Sequence, residues 1–77
     1  MNTFADFITE KNISTDHANR IAAAFENAET IEQIVLAGIS NASFIAEIMA
    51  QDFETGCWLA TINQFLCGKL MDKAAGL

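Results

Sequence analysis

The stretch TIEQIVLAGISNASFIAEIMAQDFETGCWLATINQFLCGKLMD, Thr30 to Asp72, decides the fold. It holds no Pro, its apolar residues recur at three- and four-residue spacing, and strand-like alternation of useful length is missing, so it reads as helix. Thr30-Ile31-Glu32-Gln33 has the spacing of a capping box, in which the third residue after the cap reaches back to its amide. A short third helix is expected there, with Ile31, Ile34 and Val35 facing inward and Gly38 in the left-handed position that stops a helix. Ser40 or Asn41 is expected to cap a fourth, burying Phe44, Ile45, Ile48 and Met49. Asp52 then caps a last and longest helix to about Asp72, carrying Leu59, Ile62, Phe65, Leu66 and Leu70, with Lys69 and Lys73 near its negative C-terminal end. The alternative joins Ser40 to Asp72 in one helix, against which Gly56 weighs, since Gly inside a helix costs about 1 kcal/mol relative to Ala.

Upstream, Thr3 to Lys11 reads as a first helix capped by Thr3, with Phe4, Phe7 and Ile8 on one face. Asn12-Ile13-Ser14 breaks it. Ser14 or Thr15 caps a second helix to about Asn27, in which Ala18, Ile21, Ala22 and Phe25 form the buried stripe. The expectation is one all-α domain over residues 1–73, a compact bundle of four to five short helices with a long C-terminal helix, and a frayed tail over 74–77.

The chain has 77 residues, 52% of them hydrophobic, more apolar side chains than so small a core readily hides. Some of the excess is expected at an interface, with a homo-oligomer among the possibilities. Net charge is −6, and from Ile21 to Gly68 there is neither Lys nor Arg, while Glu26, Glu29, Glu32, Glu47, Asp52 and Glu54 fall in that span. Phosphate neutralisation needs clustered cations. Nucleic acid and anionic membrane surfaces are therefore expected to be excluded as partners, and a protein with a basic surface is favoured. A helix-turn-helix drawn over Thr30 to Met49 fails for the same reason: its recognition helix would carry Glu47 and no cation.

The uncharged runs 33–46 and 55–68 are 14 residues each, short of the about 20 that span a bilayer. The N-terminal residues show no basic segment leading into a long apolar run, so a cytoplasmic location is the expectation. Cys57 and Cys67, ten residues apart on one helix, are separated by about 15 Å, beyond the roughly 7 Å that a disulfide bridges. Free thiols follow.

No reaction is spelled out. His17 beside Asp16 has no nucleophile arranged with it and reads as an ordinary first-turn residue. Cys57 lies near a helix start but faces the opposing charge of Asp52 and Glu54. No phosphate loop or calcium loop is present, and two cysteines with one distant histidine lack zinc-ligand pairs. The expectation is no enzyme, no cofactor and no metal. Trp58 falls beside the main stripe of the last helix and has two readings: burial against a neighbouring helix, the more common outcome, or an interface, with Phe53 and Cys57 one turn behind it as the centre of an apolar docking patch.

Several segments resemble the sterile alpha motif family over about Phe4 to Met71. Asp6-Phe7-Ile8 is similar to its opening aromatic-aliphatic step, Phe25 to its second-helix aromatic and Thr30-Ile31-Glu32-Gln33-Ile34 to its third-helix start. Gly56 followed by Leu59, Ile62 and Phe65 resembles the opening of its last helix. The resemblance implies a five-helix interaction domain. Where that family has a Gly-Ile step and basic residues before and at the start of the last helix, this chain has Gln51-Asp52-Phe53 and Cys57-Trp58. Head-to-tail polymers joining acidic to basic surfaces are thus not implied, and a different, basic protein is.

The leading expectation is a non-enzymatic interaction module, a small adaptor or inhibitor of the kind a phage or mobile element encodes. It would dock a basic protein with Glu26, Glu29, Glu32 and Glu47 and an apolar patch at Phe53 and Trp58. A nucleic-acid mimic and an oligomeric small-ligand binder or enzyme are the alternatives. Six carboxylates over 48 residues are sparse beside a duplex charge every about 1.7 Å.

Overall fold

A computed structural model describes residues 4–76. Four helices follow in order: α1 (Phe4–Glu10), α2 (Thr15–Ala23), α3 (Ile31–Gln51) and α4 (Phe53–Ala74). The all-α bundle with a long C-terminal helix is what the sequence implies. The expected Thr3 cap lies outside the described residues.

The local signals at the helix ends act as read. Asn12 takes the left-handed conformation (φ 55°) after α1, and Ser14 caps α2 by accepting from the His17 amide. Thr30 accepts from the Gln33 amide at 3.1 Å, while Gln33 Oε1 accepts from the Thr30 and Glu29 amides. Helix α2 ends at Ala23 rather than about Asn27. The amides of Phe25 and Glu26 bond three residues back, to Ala22 and Ala23, tightening the chain out of the α-helix.

The principal departure lies in the middle of the chain. The expected third and fourth helices are one, running unbroken through Gly38, Ser40 and Asn41. A glycine costs a helix about 1 kcal/mol, less than packing of this segment returns. A Cβ on Gly38 would stand 3.7 Å from Cys67 Sγ, so the backbones there do not need glycine for closeness. Neither Ser40 nor Asn41 caps anything, and there is no turn for a helix-turn-helix. The fused helix is also 21 residues long and holds an 18-residue window with a mean hydropathy of 1.4, enough by length and composition to cross a membrane. Counting uncharged runs alone missed this because Glu32 and Glu47 interrupt them near the ends.

The break at Asp52 does occur, so the chain is not continuous from Ser40 to Asp72. Asp52 accepts from the Thr55 amide at 3.2 Å and caps α4. This tight corner folds α4 back along α3, and Gly56 makes the approach possible: a Cβ there would lie 2.5 Å from Met49 Cβ. Gly56 sits inside α4, buried against α3.

The core comprises Ile13, Ala18, Ile21, Phe25, Ile34, Ala37, Ile45, Leu59 and Ile62, with Phe44, Ile48, Met49, Leu66 and Leu70 packed against it half-buried. Three residues expected inside are not: Ile31 and Val35 on α3, and Phe65 on α4, are exposed. Apolar spacing marks a face without saying whether this molecule or another covers it. Among the described residues one polar side chain is fully buried, Asn41. Its Nδ2 donates to the Ile21 carbonyl and to Asn63 Oδ1, its Oδ1 accepts from Arg20 Nη1, and Asn63 Nδ2 donates to the Gly38 carbonyl.

Candidate protein-binding surface

The corner between α2 and α3 gathers the acidic side chains. Glu26 and Glu29 lie in the connection and Glu32 in the first turn of α3, all exposed. None has an ion-pair partner among the described residues, where the one recorded pair is Lys11 with Glu10 at 3.9 Å. Beside them is a shallow cleft of about 370 Å³, lined by Ala23, Ala24, Ala28 and Ala37 together with Asn27 and Gln33, and edged by Leu36. Leu36 is 57% exposed. Three small side chains around the turn leave a hollow because the connection tightens after Ala23, and Leu36 projects beside it, off the Ile34, Ala37, Asn41 and Ile45 stripe that α3 buries. An adjoining cleft of about 330 Å³ lies between Glu29, Ile34, Leu70 and Lys73.

Glu47 does not join this corner. Fifteen residues of α3 separate it from Glu32, about 22 Å along the axis. It stands at the other end of the bundle with Phe53, which is 70% exposed at the start of α4. Trp58 is half-buried. Phe7 meets its ring edge-on at 5.9 Å and Lys11 Nζ lies 4.6 Å from its centroid, so α1 shields part of the indole. Phe53 and Trp58, five residues apart, point about 140° apart around α4. Glu26, Glu29 and Glu32 thus fall at the α2–α3 end of the bundle, and Glu47, Phe53 and Trp58 lie apart from them. Leu36 and the alanines lining the cleft escaped the sequence reading. The signal available was Ala22-Ala23-Ala24 and Ala28 flanking a turn, with a leucine outside the buried stripe.

His17 packs edge-on against Phe44 at 5.6 Å. Cys57 and Cys67 are free and half-buried, with Cys67 Sγ 3.6 Å from Met71 Sδ. No cluster of three His, Cys, Asp or Glu suited to a metal occurs among the described residues. Asp52 has its carboxyl held below the usual range, first by the Thr55 amide and then by the Thr55 hydroxyl, which is a helix cap at work. No family model, curated protein or solved structure matches the chain.

Proposed function

We propose that this protein is a non-enzymatic module that binds another protein through the α2–α3 corner, acting in the cytoplasm as a small adaptor or inhibitor. The observation carrying this reading is the juxtaposition of a shallow cleft, lined by alanines with Asn27 and Gln33 and edged by a largely exposed Leu36, with Glu26, Glu29 and Glu32 in a stretch of sequence free of Lys and Arg. An apolar side chain of the partner would fill the cleft, and Lys or Arg beside it would meet the carboxylates. Such rim charges chiefly steer encounter and set selectivity, while the desolvated centre supplies most of the affinity.

The sterile alpha motif resemblance points to the same kind of role. The nucleic-acid mimic draws less support: three carboxylates at one end and Glu47 about 22 Å away do not reproduce a phosphate ladder.

The test is affinity capture from lysate of the native host, followed by measured binding of the recovered protein. Binding should weaken in Glu29→Lys/Glu32→Lys and in Leu36→Asp, and weaken as salt rises. Phe65→Ala, on α4, should bind like the wild type. Equal recovery by all four proteins would refute the assignment.

A further inference from the structure

The α3–α4 hairpin has two broad faces, and α1 and α2 cover only one. Ile21 and Phe25 of the α2 region pack into the core with Ile34, Leu59 and Ile62, while Phe7 and His17 reach Trp58 and Phe44. The opposite face is open. On α3 it presents Ile31 (46% exposed), Val35 (38%), Ile39 (62%), Ala42 and Ala46, spaced four, four, three and four residues apart, which aligns them in one stripe. Helical register continues the face on α4 with Phe53, Ala60, Gln64 and Met71. None of these side chains is charged, although Ile31, Phe53 and Met71 fall outside the uncharged runs 33–46 and 55–68, and Glu32, seven residues before Ile39, borders the stripe. Leu36, which edges the cleft, projects about 100° around α3 from Val35.

We propose that this open face joins two copies of the chain about a two-fold axis passing near Ile39, with the two α3 helices antiparallel. Charge is the first argument. A two-fold contact lays a patch on its own copy, so with a net charge of −6 a carboxylate-bearing patch would oppose itself. This face carries no charge to oppose. A basic partner, conversely, gains nothing from it electrostatically.

Size complementarity is the second. Large residues occupy the N-terminal half of the stripe and small ones the C-terminal half. An antiparallel pair whose axis passes between Gly38 and Ile39 sets Val35 against the second copy's Ala42, and Ile31 against its Ala46, filling space as interiors require. A parallel pair would set valine on valine and alanine on alanine, leaving gaps between the small residues.

Area is the third. Two adjacent helices, each about 31 Å long and about 10 Å across, present a face on the scale of the about 800 Å² per partner of a standard interface.

Sedimentation equilibrium of the full chain over a roughly hundredfold concentration range tests this. The wild type should rise toward twice the protomer mass. Ile39→Glu, which places like charges across the axis, should weaken association about tenfold or more, with circular dichroism showing the helices intact. Val35→Ala and Ala42→Val should each weaken it, and the combined variant should recover, since every valine again meets an alanine. Phe65→Glu, exposed elsewhere on α4, should leave it unchanged. A monomer at every concentration, an Ile39→Glu chain that associates like wild type, or a combined variant no better than the poorer single one would overturn the proposal. Loss of a captured partner from Ile39→Glu in a chain that stays monomeric would also overturn it, by giving the face to that partner. Failure here is separable from failure at the acidic corner, because self-association should tighten with salt while docking of a basic protein weakens.

Discussion

Asn41 Nδ2 donates to Asn63 Oδ1 at 2.9 Å, linking the middle of α3 to the middle of α4 in an otherwise apolar interior. The same nitrogen donates to the Ile21 carbonyl of α2 at 3.0 Å, so one amide ties three helices together. Every described buried side-chain nitrogen and oxygen has a partner, and a polar network satisfied in this way favours one register over its neighbours. Asn41→Ala leaves Asn63 Oδ1 short of its donor and opens a cavity, and should cost about 2–4 kcal/mol in urea denaturation. Asn63→Ala, at a half-buried site that water reaches, should cost less, about 1 kcal/mol.

The glycines should behave oppositely. Gly56→Ala forces a Cβ to 2.5 Å from Met49 Cβ, and the helices must separate, at about 1–3 kcal/mol. Gly38→Ala meets only ordinary contacts, from 3.7 Å to Cys67 Sγ outward, and should gain up to about 1 kcal/mol of helix propensity. Thermal melts of both variants beside wild type would show the opposite signs directly.

Asp52 supplies a pH-dependent contribution of known sign. Its carboxylate accepts from the Thr55 amide and hydroxyl, and its pKa is lowered from the ordinary 3.8. A group with a depressed folded pKa stabilises the fold above its unfolded value and loses that effect as pH falls through the folded one. Asp52→Asn keeps a capping oxygen and does not titrate. The melting temperature of wild type should therefore exceed that of Asp52→Asn at neutral pH, and the difference should shrink in acid, below about pH 4.

Trp58 reports on α1. With Phe7 against its edge and Lys11 over its face, the indole should emit at longer wavelength in Phe7→Ala as water replaces the ring. Stability should fall by about 1–3 kcal/mol, combining the aromatic contact with partial loss of apolar burial. An unchanged emission spectrum would show that α1 does not cover Trp58 in solution.

Much of the fold was legible because the signals at Ser14, Thr30-Gln33 and Asp52 are hydrogen bonds closed within three residues. Gly38, Ser40 and Asn41 misled because the same residue types that end helices also serve inside them. Asn41 spends its amide on other helices, a fact of packing that spacing along one helix does not carry. Helix α3 has a second apolar stripe at Ile31, Val35 and Ile39, and periodicity alone assigned part of it to the core. The candidate site was half legible. Glu26, Glu29 and Glu32 lie close in sequence around the α2–α3 connection, whereas the cleft beside Leu36 exists only once the turn after Ala23 is folded, and Trp58 packs with Phe7 and Lys11.

On the two proposals above, the molecule divides its surface between an uncharged face for a second copy and an acidic corner for another protein. The most direct test is the association state of the wild-type chain at low and at high salt, by sedimentation at fixed protein concentration. Screening of the −6 charge on each copy should raise the dimer fraction at high salt. A chain that stays monomeric at both, or associates more strongly at low salt, would contradict it.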